Sequence, residues 1–264
     1  MDNVTIPANS LAAPQIEPPP IAIVLAAGKG TRMKSELPKV LCPANGRPLV
    51  EYVLDALRDA GIGRIIVVVG YRAGDVQRAL ASWSDLDFAL QSQQLGTGHA
   101  VMVCRDRIAK HDGPVVIVAG DSPMLQASSL SRLLDEYRDG RPACVLGTLI
   151  HDDPRGLGRI VRDAAGKFVA IVEEKDANDI QREICEVNMS TYVFDCQKML
   201  AVLDSLKADN RQQEYYLTDL PGLLLKQSED IRALPVLKPI EALSVNTTEH
   251  LKLVEAQLQR STSE

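Results

Sequence analysis

Three continuous apolar runs, Ile21–Ala27, Arg64–Gly70 and Val115–Gly120, constrain this chain more than any other feature. Each is short, rich in β-branched residues and closed by glycine or by small residues leading to one, the pattern of a strand buried on both faces. Helical spacing fills the intervals. Pro48–Ala60 places Leu49, Tyr52, Val53, Ala56, Leu57 and Ala60 on one face and stops at Gly61, and Ala73–Ser82 and Gly98–Lys110 are further helical segments. Such alternation predicts an α/β fold: a Rossmann-like, mixed, mostly parallel sheet flanked by helices, with a ligand cleft along the strand ends. In the second half, strands are expected at Ala143–Ile150, Gly158–Arg162, Phe168–Glu173 and Val187–Asp195, and helices at Gln197–Lys207, Tyr216–Gln227 and Glu249–Arg260. Residues 1–20 read as a disordered tail ending in Pro18–Pro20, and 21–260 as one domain.

Charge narrows the partners. Twenty-nine Lys and Arg against 35 Asp and Glu give a net charge of −6, the wrong sign for a nucleic-acid binder, although local cations can still hold a small anion. No apolar run reaches the length of a membrane span, and residues 1–20 lack the basic and apolar regions of a secretory signal. Cys42, Cys104, Cys144, Cys185 and Cys196 never form Cys-x-x-Cys, and the histidines have no zinc-type spacing. The expectation is a cytoplasmic protein with reduced cysteines and neither membrane nor nucleic-acid partners.

Directly after the first strand comes Leu25-Ala-Ala-Gly-Lys-Gly-Thr-Arg-Met33. Its small residues let backbone N–H groups approach a ligand, and Lys29 and Arg32, with Lys39 after Pro38, add charge suited to a triphosphate. By itself a Gly-x-Gly is more readily a turn with solvated cations. No segment supplies a Walker A loop, and none of the Gly-x-Gly pairs gains the third glycine of a dinucleotide fingerprint.

The loop together with Pro38-Lys39 resembles the signature of the sugar-phosphate nucleotidylyltransferases, and is most similar to the uridylyltransferase domains of bifunctional bacterial UDP-N-acetylglucosamine pyrophosphorylases. Further segments in the same order carry the resemblance: Gln94-Leu-Gly-Thr-Gly-His-Ala100, Gly120-Asp121-x-Pro123, Gly158-Arg-Ile-Val-Arg162, Ile171-Val-Glu-Glu-Lys-Asp-Ala177, Glu186-Val-Asn188, Glu214-Tyr-Tyr-Leu-Thr-Asp219 and Val245-Asn246. The likeness implies a fold of the nucleotide-diphospho-sugar transferase type. It also implies Mg2+-dependent transfer of UMP from UTP to N-acetylglucosamine 1-phosphate, a step toward cell-wall precursors.

On that resemblance Arg32 and Lys39 act on the triphosphate, with Lys29 on the same loop. Leu25, Ala26, Ala27, Gly28, Gln91, Gly96 and Thr97 line the uridine site. Gly158, Glu173, Asn188, Tyr216 and Thr218 hold the sugar, and Asp121 and Asn246 bind magnesium. Residue chemistry is compatible: an amide such as Gln91 offers uracil a donor and an acceptor. Asp121 ends a buried strand, where without Asn246 it would read as the N-cap of a helix near Pro123. If Glu173 and Glu174 share a strand they face opposite sides, which leaves Glu174 as a solvated edge residue and Lys175 as a lesser phosphate candidate.

The chain departs from the family pattern at three places. Ala119-Gly120-Asp121 stands for Tyr-Gly-Asp, Asn188-Met189-Ser190 for Asn-Thr-Gly, and Leu41-Cys42-Pro43 for Leu-His-Pro. The first two bear on the sugar rather than the reaction. Hexapeptide repeats of the acetyltransferase β-helix are missing from this sequence, so a monomer or weak oligomer is expected. The competing readings are the same reaction on another hexose 1-phosphate, or a catalytically silent nucleotide-sugar-binding subunit.

Overall fold

The structure is a computed structural model that describes residues 18–30, 36–245 and 247–261. Expectations for the tail at 1–17, for Arg32 and for Asn246 lie outside the described residues.

In chain order the elements are β1 (Ile21–Ala26), a ribbon of β2 (Pro43–Ala44) and β3 (Arg47–Pro48), α1 (Leu49–Asp59), β4 (Arg64–Val69), α2 (Ala73–Ala79), β5 (Leu86–Leu90), α3 (Thr97–Met102), α4 (Arg105–Ile108) and β6 (Pro114–Ala119). There follow α5 (Ala127–Arg138), β7 (Cys144–Ile150), β8 (Gly158–Arg162), β9 (Phe168–Val172), α6 (Asp179–Arg182), β10 (Glu186–Asp195), α7 (Cys196–Leu203), α8 (Leu220–Lys226), β11 (Ile231–Leu234) and α9 (Thr248–Ser261).

The three apolar runs become the sheet centre. Its order is β11-β7-β10-β6-β1-β4-β5, with the β8–β9 hairpin attached through β10. Strands β6, β1, β4 and β5 are parallel, and β10 runs against β6, β7 and β8. Alternation along each strand divides the core in two. Ile23, Ile66 and Ile117 face α3, α4, α7 and α8 through Val101, Ile108, Met199 and Leu224. Val24, Val67 and Val118 face α1, α2 and α5 through Val53, Leu57, Val76, Leu130 and Leu134. Burial on both faces is why these strands carry no polar alternation.

Several expected boundaries move. The helix expected over Gly98–Lys110 is two, because the chain tightens where Cys104 N–H reaches Val101 O. The helix expected at Gln197 begins at Cys196, since Asp195 caps it by accepting from Lys198 N at 3.2 Å, and it ends at Leu203. Tyr216–Gln227 opens with a 3-10 turn at Leu217–Asp219, and α8 begins only where Pro221 fits a first helical turn. Strand β9 stops at Val172, so Glu173 and Glu174 lie in the following turn rather than on opposite strand faces.

Candidate active site

The cleft forms at the carboxyl ends of β1 and β6, where adjacent parallel strands deliver their following loops to one place. Gly120 N donates to Leu25 O at 2.9 Å and Tyr71 N to Ala27 O at 3.0 Å, which fixes the first loop between its neighbours. A cavity of about 410 Å³ opens there, lined by Leu25, Ala27, Gly28, Lys39, Gln91, Gly96, Thr97 and Asp121, together with Ala119, Ser190 and Glu214. Ala26 is the exception among the expected uridine residues: its side chain packs into the opposite core layer.

Lys39 Nζ forms an ion pair with Asp121 Oδ2, and both side chains are largely shielded. Gly30 makes this approach possible. Its φ is +66°, and a Cβ there would fall 2.5 Å from Lys39 Cβ, so the loop lies directly on the lysine stem. Lys29, by contrast, holds its ammonium 5.4 Å from the centre of the Tyr71 ring. Val245 N donates to Asp121 O at 3.3 Å, bringing the segment before position 246 to the same aspartate.

Gln91 is buried, and its Nε2 donates to Gly96 O at 2.9 Å and meets His99 Nδ1 at 3.1 Å. Besides lining the cavity it therefore braces the 94–100 loop, a part that sequence reasoning did not give it. That loop is in turn locked to residues 214–218. Thr97 Oγ1 accepts from Leu217 N at 3.0 Å, Gly98 N donates to Tyr215 O at 2.7 Å, and Tyr215 N donates to Leu95 O at 2.8 Å. Gly96, at φ +106°, would bring a Cβ within 2.5 Å of Tyr215 O.

A second cluster collects most of the expected sugar residues. A Cβ built on Gly158 would lie 3.6 Å from Asn188 Cβ and 3.7 Å from Glu173 Cδ. Thr218 Oγ1 donates to Glu173 Oε1 at 3.1 Å, and Ser190 N donates to Asn188 Oδ1 at 3.3 Å. Tyr216 OH accepts from Gln212 Nε2 at 2.7 Å. Burial raises the Glu173 pKa, the Thr218 hydrogen bond partly offsets this, and Asp176 and Asp219 reinforce it. Lys175 is engaged with Gln212.

Glu174 is no solvated edge residue. Its Oε2 lies 2.7 Å from Nη2 of Arg159, a side chain only 1% exposed, and accepts from Gly156 N at 3.2 Å. Although partial desolvation opposes it, Arg159 followed by the Gly156 N–H holds this carboxyl below its ordinary pKa. The pair ties the start of β8, where Gly158 sits, to the turn that carries Glu173. A buried Arg inside Gly-Arg-Ile-Val-Arg was the available signal, since a buried guanidinium needs a carboxylate partner.

Residues 22–213 match the model of the MobA-like NTP transferase domain. The chain is 42% identical over 236 residues, 89% of its length and 51% of the relative's, to the bifunctional protein GlmU of Geotalea daltonii. It is 44% identical over 225 residues, 85% of its length and 49% of the relative's, to GlmU of Limosilactobacillus reuteri. It thus spans about half the length of these relatives. Among solved structures, a UDP-glucose pyrophosphorylase complexed with UDP-glucose superposes with a TM-score of 0.74 at 17% identity, covering 92% of this chain and 99% of that one. At that identity the likeness is one of fold.

Proposed function

The chain belongs to the MobA-like NTP transferase domain family and is similar to GlmU over most of its length, and from this we propose that it transfers UMP from UTP to N-acetylglucosamine 1-phosphate, giving UDP-N-acetylglucosamine and pyrophosphate. The observation that carries the reading is the meeting of Lys39 and Asp121 beside the Gly28–Gly30 loop, in a cavity next to the Gly158, Glu173 and Asn188 cluster. One place suits phosphates and the other a polyhydroxylated ring.

A phosphate monoester has a second pKa near ~6, so at neutral pH the sugar phosphate is mostly dianionic and needs no general base. Its oxygen attacks the α-phosphorus in line, the bond to the β-phosphate oxygen breaks, and pyrophosphate departs with that electron pair. The protein's work is alignment and charge neutralisation. Lys39 offers an ammonium to the triphosphate, and Arg32 is assigned to the same anion. The β1 loop presents backbone at Leu25, Ala26, Ala27 and Gly28, while Gln91, Gly96 and Thr97 shape the base site. Glu173, Asn188, Tyr216 and Thr218 orient the sugar, and Gly158 leaves room for it.

The donors fit magnesium. Among the described residues no group of His, Cys, Asp or Glu is large enough for an all-protein metal cage, whereas Mg2+ takes one or two protein oxygens and completes its shell with phosphates and water. Asp121, with Asn246, would hold it, and when bound it would neutralise charge on the leaving pyrophosphate. We place the protein in the cytoplasm on its likeness to GlmU. No helix among the described residues is long and apolar enough to cross a membrane.

The test is pyrophosphate release with magnesium, crossing four nucleoside triphosphates with N-acetylglucosamine, galactosamine-type and glucose 1-phosphates. Release confined to UTP with N-acetylglucosamine 1-phosphate is expected. Release with a different sugar replaces the substrate, and none from folded protein overturns the activity.

A further inference from the structure

Ser190 has a φ of +52° in the interior of β10. The other non-glycine residues at positive φ among those described, Asn45, Arg72, Arg141, Gln213 and Ser228, all sit in turns, in loops or at element ends. A left-handed serine is strained where glycine would not be, and strain of this kind persists where surrounding structure enforces it, often at binding sites. Here the enforcement is visible: the β10–β7 register shifts between Asn188 and Thr191, so Met189 and Ser190 form a bulge.

The bulge stands at the junction of the two clusters. Pairing of β10 with β6 begins at Thr191–Val118, which sets Ser190 beside Ala119 at the mouth of the sheet. Both residues line the cavity of Lys39 and Asp121. On the other side the Ser190 N–H holds Asn188 Oδ1. Beneath them the buried Tyr192 hydroxyl faces Asn188, Ser190 and Glu173. Ser190 thus lines the cavity of Lys39 and Asp121 and also touches Asn188, which places it where a sugar 1-phosphate reaching from one cluster to the other would meet it. Ala119 beside it is smaller, so of the two the serine projects more side chain at that part of the cavity.

We propose that Ser190 sets the size of the acyl substituent admitted on the sugar, an inference that rests on the sugar 1-phosphate reading above. A larger residue at this position narrows the cavity there and a glycine widens it. One added methylene at such a wall changes selectivity by about tenfold or more.

The experiment compares wild type, Ser190→Gly and Ser190→Asn, the last because asparagine tolerates left-handed backbone while adding bulk. Pyrophosphate release is measured with UTP and N-acetyl-, N-propionyl- and N-butanoylglucosamine 1-phosphates and glucose 1-phosphate, beside thermal melts. Ser190→Gly should raise kcat/KM for the butanoyl over the acetyl sugar about tenfold and melt no lower than wild type. Ser190→Asn should shift preference toward glucose 1-phosphate. Ratios within about twofold of wild type in both folded variants would overturn the proposal while leaving the sugar reading intact. Absence of turnover by wild type with every sugar would overturn both.

Discussion

Glu174→Ala is the substitution whose effect follows most directly from the geometry. Arg159 is buried to 1% exposure and its guanidinium has three partners: the Glu174 carboxylate at 2.7 Å, Leu157 O, and Arg182 O at 3.4 Å. Its Nε has none. Removing one member of a fully buried ion pair costs about 3–5 kcal/mol, because the other charge stays behind uncompensated. Glu174 keeps 31% of its side chain exposed, and the two carbonyls remain, so the expected loss is about 2–3 kcal/mol. In a chain of this size that lowers Tm by roughly 4–10 °C. Arg159→Met removes the buried charge itself and leaves a carboxylate that water can reach. In that background Glu174→Ala should cost no more than about 0.5 kcal/mol, giving a coupling near ~2 kcal/mol.

Urea denaturation of the four proteins measures the cycle. The same pair joins Gly158 to the turn of Glu173, so Glu174→Ala should also raise KM for the sugar phosphate, roughly fivefold per ~1 kcal/mol of lost positioning, and leave KM for UTP nearly unchanged. A cost below about 0.5 kcal/mol, or equal costs with and without Arg159, would refute the argument from a buried charge.

Other outcomes follow from single contacts. Lys39→Met should lower kcat about a hundredfold and, because the Lys39–Asp121 pair is largely shielded and Asp121 is left uncompensated, cost about 1–3 kcal/mol; steady-state kinetics and a melt test both halves. Gly96→Ala places a Cβ 2.5 Å from Tyr215 O at φ +106°, so it should cost about 2–4 kcal/mol and raise KM for both substrates by parting the 94–100 loop from residues 214–218. Burial raises the Glu173 pKa, so the folded state keeps a proton that the unfolded chain releases near the ordinary carboxyl value of 4.5. That contribution is present at acid pH and lost as pH rises through the folded pKa. Glu173→Gln should flatten this acid limb in melts between pH 4 and pH 7, and weaken sugar binding.

What the sequence disclosed and what it hid divide along physical lines. Strands β1, β4 and β6 were legible because burial on both faces leaves an unbroken apolar run. Two edge strands, β5 and β11, were missed: Leu86–Leu90 carries Asp87 and Ile231–Leu234 carries Arg232, so neither has that run. Helix α5 had a usable signal in Leu130, Leu133, Leu134 and Tyr137, at helical spacing and buried, but serines at its start obscured it. The motifs named segments that the fold gathers around one cleft, while the joints between those segments were not legible, because Thr97 to Leu217 and Arg159 to Glu174 are contacts between distant segments. The Glu174 misreading came from one misplaced strand end, which turned a partner of a buried cation into a surface residue.

These joints tie the motifs to one another across the fold. The 94–100 loop reaches its position only with 214–218 in place, as Gly98 N to Tyr215 O and Thr97 Oγ1 from Leu217 N require. Residues 214–218 deliver Thr218 to Glu173, and the turn of Glu173 is held to Gly158 by Glu174 and Arg159. A chain of contacts therefore runs from the 94–100 loop to the Gly158 and Glu173 cluster without using the Lys39–Asp121 pair. Loss of one joint should disturb substrate affinity before it disturbs the phosphate chemistry. By the same logic Lys39, which opens the 3-10 turn Lys39–Leu41, and Asp121, just past the end of β6, are bonded to each other and should govern turnover, so KM-type and kcat-type variants should map onto two separate sets of contacts.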